Sequence, residues 1–280
     1  MTPPPDDRTA PGTAQAVPTP TETVNLDGDL RDLALAAAQA GAHAILRELR
    51  NGKVEVETKS HDADFVTTAD KAAERAILRM VRAVRPKDAV LAEESGMHAG
   101  DSGVRWLVDP LDGTMNFVHR RHDYAVSVGV EQAGRMVAGA IVRPADGQWA
   151  AAGGDEAFAR DMTPKVSATA DLCDALVGIG LPSPMEHRER VHHFLGDLMH
   201  EARDYRRSGS SACELLTVAL GGQEGYLGFG VNMWDVAAGI ALVDAAGGTS
   251  QWVTTATGLE VLVSGTPQVT ETLVGMVKVI

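Results

Sequence analysis

One nine-residue stretch constrains this chain more than any other: Trp106-Leu107-Val108-Asp109-Pro110-Leu111-Asp112-Gly113-Thr114. The apolar run ending at Asp109 reads as a strand. Pro110 removes the N–H that further pairing would use, and Gly113 lets the backbone turn sharply. Asp109 and Asp112 are thereby placed on one tight turn, with the Leu111 carbonyl between them. If a helix begins at Gly113 or Thr114, its free N–H groups point at the same spot. Carboxylates and a carbonyl form a hard oxygen site suited to Mg²⁺, and N–H groups at a helix start hold phosphate. One turn can then bind a cation and an anion together.

Other acids follow apolar segments in the same way. Glu93 and Glu94 come directly after Ala89-Val90-Leu91-Ala92, and Asp235 follows Trp234 at the start of an apolar helix. Taken singly, Asp-Pro and Asp-Gly pairs mark turns, an acid at a helix start is a cap, and a Glu-Glu pair is solvated surface. Together they imply converging charge. Two carboxylates 4 Å apart repel by about 1 kcal/mol in water and about 4 kcal/mol at an effective dielectric of 20. Divalent cations are the simplest way to hold several such groups in one place.

Composition bears on which partners suit such a site. The chain has 280 residues with a formal net charge of −13, and no basic run that a duplex-binding face would need. An acidic protein that takes an anionic ligand needs local positive charge, and bound cations supply it. Hydrophobic residues at 44% and charged residues at 22% fit a globular protein. Cys173 and Cys213 lack metal-ligand spacing and read as ordinary buried thiols. With no transmembrane run and no secretory signal, a cytoplasmic setting is expected.

Residues 1–25 hold six prolines from Pro3 to Pro20 and almost no large apolar side chains, so a disordered tail is expected. Asp27 or Asp29 can cap a helix over about 30–50 that ends at Asn51-Gly52, with an extended stretch over 53–58. Thr67-Thr68 opens a second helix bearing Ala73, Ile77, Met80, Val81 and Val84 on one side, stopped by Pro86. Short strands are expected over 89–92, 104–108, 125–130, 136–142, 149–152 and 175–179, with a hairpin at Gln132-Ala133-Gly134. Helices near 185–200, 211–220 and 234–246 alternate with strands near 203–207 and 224–229. Two or three short strands close the chain. This order is α+β or layered α/β, not a simple dinucleotide-binding order.

Four blocks resemble the inositol monophosphatase family: residues 64–70 (Asp64 to Asp70), residues 92–96 (Ala92-Glu93-Glu94-Ser95-Gly96), residues 106–117 (Trp106 to Phe117) and residues 234–248 (Trp234-Asp235 to Gly248). The resemblance runs over about residues 29–280. It implies an αβαβα sandwich and a catalytic domain over 26–280. A metal-binding half would span about 26–150 and a substrate-selecting half about 151–280. It also implies Mg²⁺, two to three ions, with Glu93, Asp109 and the Leu111 carbonyl around one and Asp109, Asp112 and Asp235 around a second. A third ion would sit near Glu93. Gly113 and Thr114 would hold phosphate, Thr114 with Asp70 would help activate the attacking water, and Lys59 and Glu94 lie near the site. Similar enzymes are lithium-sensitive and form homodimers.

The activity implied is hydrolysis of a small phosphate monoester by direct attack of a metal-activated water. No covalent nucleophile stands out, and His119 alone among the histidines is left open. Gly209-Ser210-Ser211 matches the turn that faces the sugar ring in similar enzymes, and Asp235 would also face substrate. Inositol-specific members carry an acid six positions before the Trp-Asp pair; here that position is Gly228, either a change in selectivity or a plain turn glycine. Arg206 and Arg207 nearby can meet a second anionic group or be solvated surface. Ala92 replaces the usual glycine before Glu93. The expected partner is a small phosphorylated metabolite, with neither nucleic acid nor membrane. Alternatives are a related lithium-sensitive phosphatase for 3′-phosphoadenosine phosphate, fructose 1,6-bisphosphate or histidinol phosphate, and, in another class, a regulatory binding protein on the same fold.

Overall fold

The computed structural model describes residues 30–52, 55–58, 65–181 and 185–279. The expected tail and the caps at Asp27 or Asp29 lie outside these residues, as does Lys59. Helix α1 (Leu30–Asn51) buries Leu33, Ala34, Ala37, Ala38, Ala42 and Ile45, a stripe at three- and four-residue spacing. Its alanines let α2 lie close by. Strands β1 (Val56–Thr58) and β2 (Phe65–Thr67) pair antiparallel and lead into α2 (Thr68–Val84). Thr67 caps α2, as its sequence signal indicates, and Ala69, Ala73, Ile77 and Val81 face inward.

A seven-stranded sheet follows, with α3 (Thr114–Val118) inserted along the chain. Its strands are β3 (Ala89–Ala92), β4 (Gly96–His98), β5 (Val104–Asp112), β6 (Ala125–Gln132), β7 (Arg135–Val142), β8 (Trp149–Gly153) and β9 (Glu156–Ala159), in the order β4-β3-β5-β6-β7-β8-β9. Only the β3–β5 pair is parallel. The β6–β7 hairpin turns on Ala133 and Gly134, both left-handed at φ 51° and 78°, which matches the twist of a two-residue hairpin. The strands β4 and β9, which lie at the two edges of the sheet, are only three and four residues long and do not stand out in the sequence.

The second half contains β10 (Leu176–Gly180), α4 (Met185–Glu201), β11 (Asp204–Arg206), α5 (Ser211–Ala219), β12 (Gly225–Phe229), α6 (Met233–Ala245), β13 (Thr249–Thr254), β14 (Glu260–Gly265) and α7 (Pro267–Val277). Its five-stranded sheet runs β11-β10-β12-β14-β13. The chain ends on a helix and not on strands alone: Thr266 occupies the N-cap and Pro267 the first turn, a start signal that the apolar content of 261–263 obscures. Cys213 is buried as expected, whereas Cys173 is exposed beside the short turn at 172–174. Among the described residues no helix is long and apolar enough to cross a membrane.

Three apolar clusters separate five layers. In the first, α1 and α2 pack on one face of the larger sheet through Ile45, Ile77, Val126, Val128 and Trp106. In the second, α5 and α6 fill the space between the sheets through Leu215, Leu216, Val236 and Leu242. In the third, α4 and α7 cover the outer face of the smaller sheet through Phe194, Leu198, Leu273, Leu227 and Val263. The result is the αβαβα sandwich.

One close approach decides where α6 sits. Gly129 and Gly139 are partners across β6 and β7. A methyl at position 129 would stand 2.5 Å from Ala237 Cβ, and one at 139 would stand 2.6 Å from Ala238 Cα. The paired glycines therefore let the helix backbone rest directly on the sheet, which carries the start of α6 in toward the end of β5. Gly139→Ala forces that helix outward. We expect it to destabilise the protein by about 1–3 kcal/mol, read as a lowered midpoint in thermal unfolding.

Candidate active site

The end of β5 departs from a simple strand-then-turn. Asp109 pairs with Ser127 and Asp112 with Ala125, so Pro110 and Leu111 together oppose Val126 alone. Pro110 therefore does not end the strand as its missing N–H suggests; it occupies a β-bulge, where a missing donor breaks no ladder bond. The bulge brings Asp109 and Asp112 to the same end of the sheet. The Leu111 N–H donates to Asp109 Oδ1 at 3.0 Å. Gly113 then turns left-handed at φ 89°, with no room for a side chain because Asp123 O would lie 2.7 Å from a Cβ. A five-residue helix starts at Thr114, as expected for this motif.

Glu93 arrives from the neighbouring parallel strand. Its N–H donates to Val108 O at 3.0 Å, fixing it beside Asp109. The next N–H, of Glu94, donates to Glu74 Oε2 at 2.9 Å. Glu74 is a buried acid that sequence reasoning missed. The available signal is its place one turn beyond Asp70 on the same face of α2.

Asp70 is held by its own helix start. Oδ2 accepts from the Thr67 N–H at 2.8 Å and the Thr67 hydroxyl at 2.6 Å, while Thr67 Oγ1 accepts from the first-turn N–H groups of Ala69 and Asp70. The capping box uses one carboxylate oxygen and turns the other to Thr114. Thr114 Oγ1 lies 3.1 Å from Asp70 Oδ1 and 2.9 Å from Leu111 O. A hydroxyl has one proton, so the two acceptors compete for it.

Asp235 sits in the first turn of α6, where Oδ2 accepts from the Asn232 N–H at 2.9 Å. Asp112 is held from the other half of the chain: its Oδ2 accepts from the Ser210 hydroxyl at 2.7 Å and from the Ala212 N–H at 2.6 Å. The donors expected at this helix start for a sugar ring are thus partly turned onto an acid. Ser211 and Gly209 remain on the wall of a cleft that also includes Asp112, Asp235, Ser210 and Arg207. Asn116 ties α3 to the segment before α5 by donating to Asp123 O at 2.7 Å and Ser208 O at 2.9 Å. His119 is exposed at the end of α3 and does not line the cleft.

The acids feel one another. Burial pushes the Asp109 carboxyl well above the usual range, with the charges of Glu93, Asp112 and Asp235 adding to it and a carboxyl–carboxyl hydrogen bond to Glu93 favouring its protonated form. Burial, opposed by the Ser210 and Ala212 hydrogen bonds, brings Asp112 up to about 7. Burial and then the Asp112 charge bring Asp235 up to about 8. Asp70 is raised by burial against the Thr67 hydrogen bonds. Among the described residues, no three acid, His or Cys side chains make a finished metal cage. The donor set is nonetheless wholly oxygen, anionic and mutually repelling, which suits Mg²⁺ and no soft metal.

A layered α/β sandwich with an acidic cluster where the two sheets and α6 meet defines a class, and comparison with known proteins makes it specific. The model of the "Inositol monophosphatase family" matches residues 29–273, and the chain belongs to this family. An inositol-1-monophosphatase of Mesorhizobium japonicum is 41% identical over 192 residues, which cover 66% of this chain and 71% of the relative. The Nus factor SuhB of Escherichia coli K12 is 33% identical over 220 residues, 78% of this chain and 82% of the relative. Among solved structures, the extragenic suppressor protein suhB of Bartonella henselae superposes with a TM-score of 0.80 at 31% identity, over 88% of this chain and 97% of the other. An inositol monophosphatase from Anabaena gives 0.73 at 30% identity, over 88% and 94%.

The raised carboxyls set a pH dependence. A carboxyl whose folded pKa exceeds its unfolded value favours folding as pH falls, because the folded state then binds the extra proton. With Asp112 near 7 and Asp235 near 8, the protein in chelator is expected to unfold at a higher temperature at pH 6 than at pH 8.5. A metal held by carboxyls needs them deprotonated, so Mg²⁺ held by these acids would raise the midpoint more at pH 8.5 than at pH 6. Scanning calorimetry at both pH values, with and without Mg²⁺, measures both effects. A midpoint in chelator that rises with pH over this window would contradict the raised carboxyls.

Proposed function

We propose that this chain is a Mg²⁺-dependent phosphatase that hydrolyses a small phosphate monoester in the manner of an inositol-1-monophosphatase. The observation that carries this reading is the acidic cluster, in which Asp109, Asp112, Asp235 and Glu93 each raise or feel one another's charge beside the Asp70–Thr114 contact. On this reading Glu93, Asp109, Asp112, Asp235 and the Leu111 carbonyl hold two to three Mg²⁺ ions. Bound there, Mg²⁺ supplies Lewis acidity toward phosphoryl oxygens and a lowered pKa for water.

The chain's own groups do the rest. Backbone N–H groups at Gly113 and Thr114 orient the phosphate at the turn. The Thr114 hydroxyl positions the attacking water, and Asp70 Oδ1 draws the proton through it while Thr67 keeps Oδ2 fixed. Glu93 acts as a further base beside Asp109, with Glu94 next to it in the chain. No covalent intermediate is needed. Burial pushes the Cys213 thiol far up, so it stays neutral and poorly nucleophilic. The seven-stranded half supplies most of the metal ligands, and the second half supplies Asp235 and the substrate wall at 209–211. We place the protein in the cytoplasm as a homodimer acting on a phosphorylated metabolite.

Relatives named Nus factor support a second reading, a regulatory binding role on the same fold, and under it a nucleic-acid partner is compatible with the chain. The complete acid set favours catalysis.

Phosphate release from inositol 1-phosphate, glycerol 2-phosphate, fructose 1,6-bisphosphate, histidinol phosphate and 3′-phosphoadenosine phosphate, with and without Mg²⁺ and Li⁺, tests the reading. Asp109→Asn should lose at least about 100-fold in turnover. Thr114→Ala should lose about 10²–10⁴-fold in kcat with its Mg²⁺ dependence retained. Turnover that persists in chelator, or in Asp109→Asn, would overturn the phosphatase reading.

A further inference from the structure

The far wall of the cleft differs from the wall that the family resemblance leads one to expect, and the difference has a chemical sign. Gly228 is no turn glycine. It lies inside β12, paired with Gly180 of β10. A methyl at 228 would stand 2.9 Å from both Tyr226 Cε1 and Val231 Cγ2, and one at 180 would collide with the Tyr226 hydroxyl. The fully buried Tyr226 ring thus lies over both glycines and occupies the space an acidic side chain would need.

The remaining polar groups of this wall are donors. The Tyr226 hydroxyl donates to Ser211 Oγ at 2.7 Å, which leaves the Ser211 proton to point elsewhere. Burial holds the Tyr226 phenol well above its usual pKa, so it stays a donor. The one acid on this wall, Glu214, is buried and already committed: Oε1 accepts from the Ser208 N–H at 2.6 Å and Oε2 from Gln223 Nε2 at 3.0 Å. Arg206 pairs with Asp204 at 2.5 Å and does not line the cleft. Arg207 does line it, with no ion pair or hydrogen bond among the described residues. A wall offering an unpaired guanidinium and a hydroxyl proton, with Glu214 already bonded and Gly228 in place of an acid, lacks the carboxylate that would accept from the neutral hydroxyls of a polyol. It suits an oxyanion.

We propose that Arg207 is a specificity-determining residue and that the substrate is a phosphate monoester carrying a second oxyanion, a carboxylate or another phosphate, bound by Arg207 and Ser211. This rests on the phosphatase reading above. On this proposal the scissile phosphate is held by the acids of the cluster, and the second anion by Arg207 in the same cleft, which Asp112, Asp235 and Arg207 all line. The exposed guanidinium also supplies the local positive charge that a chain of net charge −13 needs in order to admit a doubly anionic ligand.

A matched pair of substrates tests it. Glycerol 2-phosphate and 2-phosphoglycerate differ only in a carboxylate that replaces one hydroxymethyl group. With Mg²⁺, the wild-type protein is expected to favour 2-phosphoglycerate at least tenfold in kcat/KM. Arg207→Met should bring that ratio close to one, mainly through KM, while Arg206→Met leaves it in place. Arg207 would instead grip the scissile phosphate if Arg207→Met lowered both substrates equally, and that result overturns the proposal, as does a wild-type ratio near one. If neither compound is turned over, the phosphatase reading is decided by the wider panel above, and calorimetric titration of the Mg²⁺-loaded protein with the same pair decides this inference. Tighter binding of 2-phosphoglycerate that disappears in Arg207→Met upholds it, and equal binding of the two overturns it.

Discussion

Mutual repulsion among buried carboxylates is the constraint that the rest of this structure serves. Burial raises the carboxyls of Asp109, Asp112 and Asp235 where β5 meets α6, and the charge of Glu93 adds to each. Two such charges 4 Å apart repel by about 4 kcal/mol at an effective dielectric of 20. The fold offsets this by giving the acids separate donors from separate elements. Asp109 has the Leu111 N–H, Asp112 has Ser210 and Ala212, Asp235 has Asn232, and Asp70 has Thr67. Each bond orients one oxygen and leaves the other for the centre. The acids are therefore aimed by local caps and turns.

The layers follow from the same need. The motif at 109–114 lies at the end of one sheet, but Asp235 is more than a hundred residues later. It can join the cluster only if its helix lies flat on that sheet. The facing glycines at 129 and 139 remove the side chains that would hold α6 away, and Ser127 adds a contact to Trp234 O at 3.3 Å. With α6 fixed on the first sheet, α5 beside it is carried to Asp112, and the second sheet packs over both.

Much of this was legible locally. The Thr67 cap, the hairpin at Ala133-Gly134, the αL turn at Gly113 and the helix start at Asp235 each have signals within four residues, and each forms where the signal lies. Features set by distant partners were not legible. Pro110 stays within a strand because the bulge opposite Val126 needs no donor there, which depends on β6. Cys173 is exposed because its turn lies outside the packed layers, although its composition resembles that of a core position. Glu74 meets the Glu94 N–H across twenty residues, and Ser210 meets Asp112 across ninety-eight. Helix α7 is hidden because its apolar residues continue the pattern of the strand before it, so period alone does not separate the two.

The pairing of Ser210 with Asp112 has a consequence for how the two halves communicate. Ser210 caps α5, accepting from the Cys213 N–H at 3.1 Å while donating to Asp112. The next residue, Ser211, faces the cleft and accepts from Tyr226. One turn of backbone thus holds an acid of the central cluster with one residue and a wall of the cleft with its neighbour. The acid cluster and the cleft wall therefore rest on the same hydrogen-bonded turn, and neither can be rebuilt without moving the other.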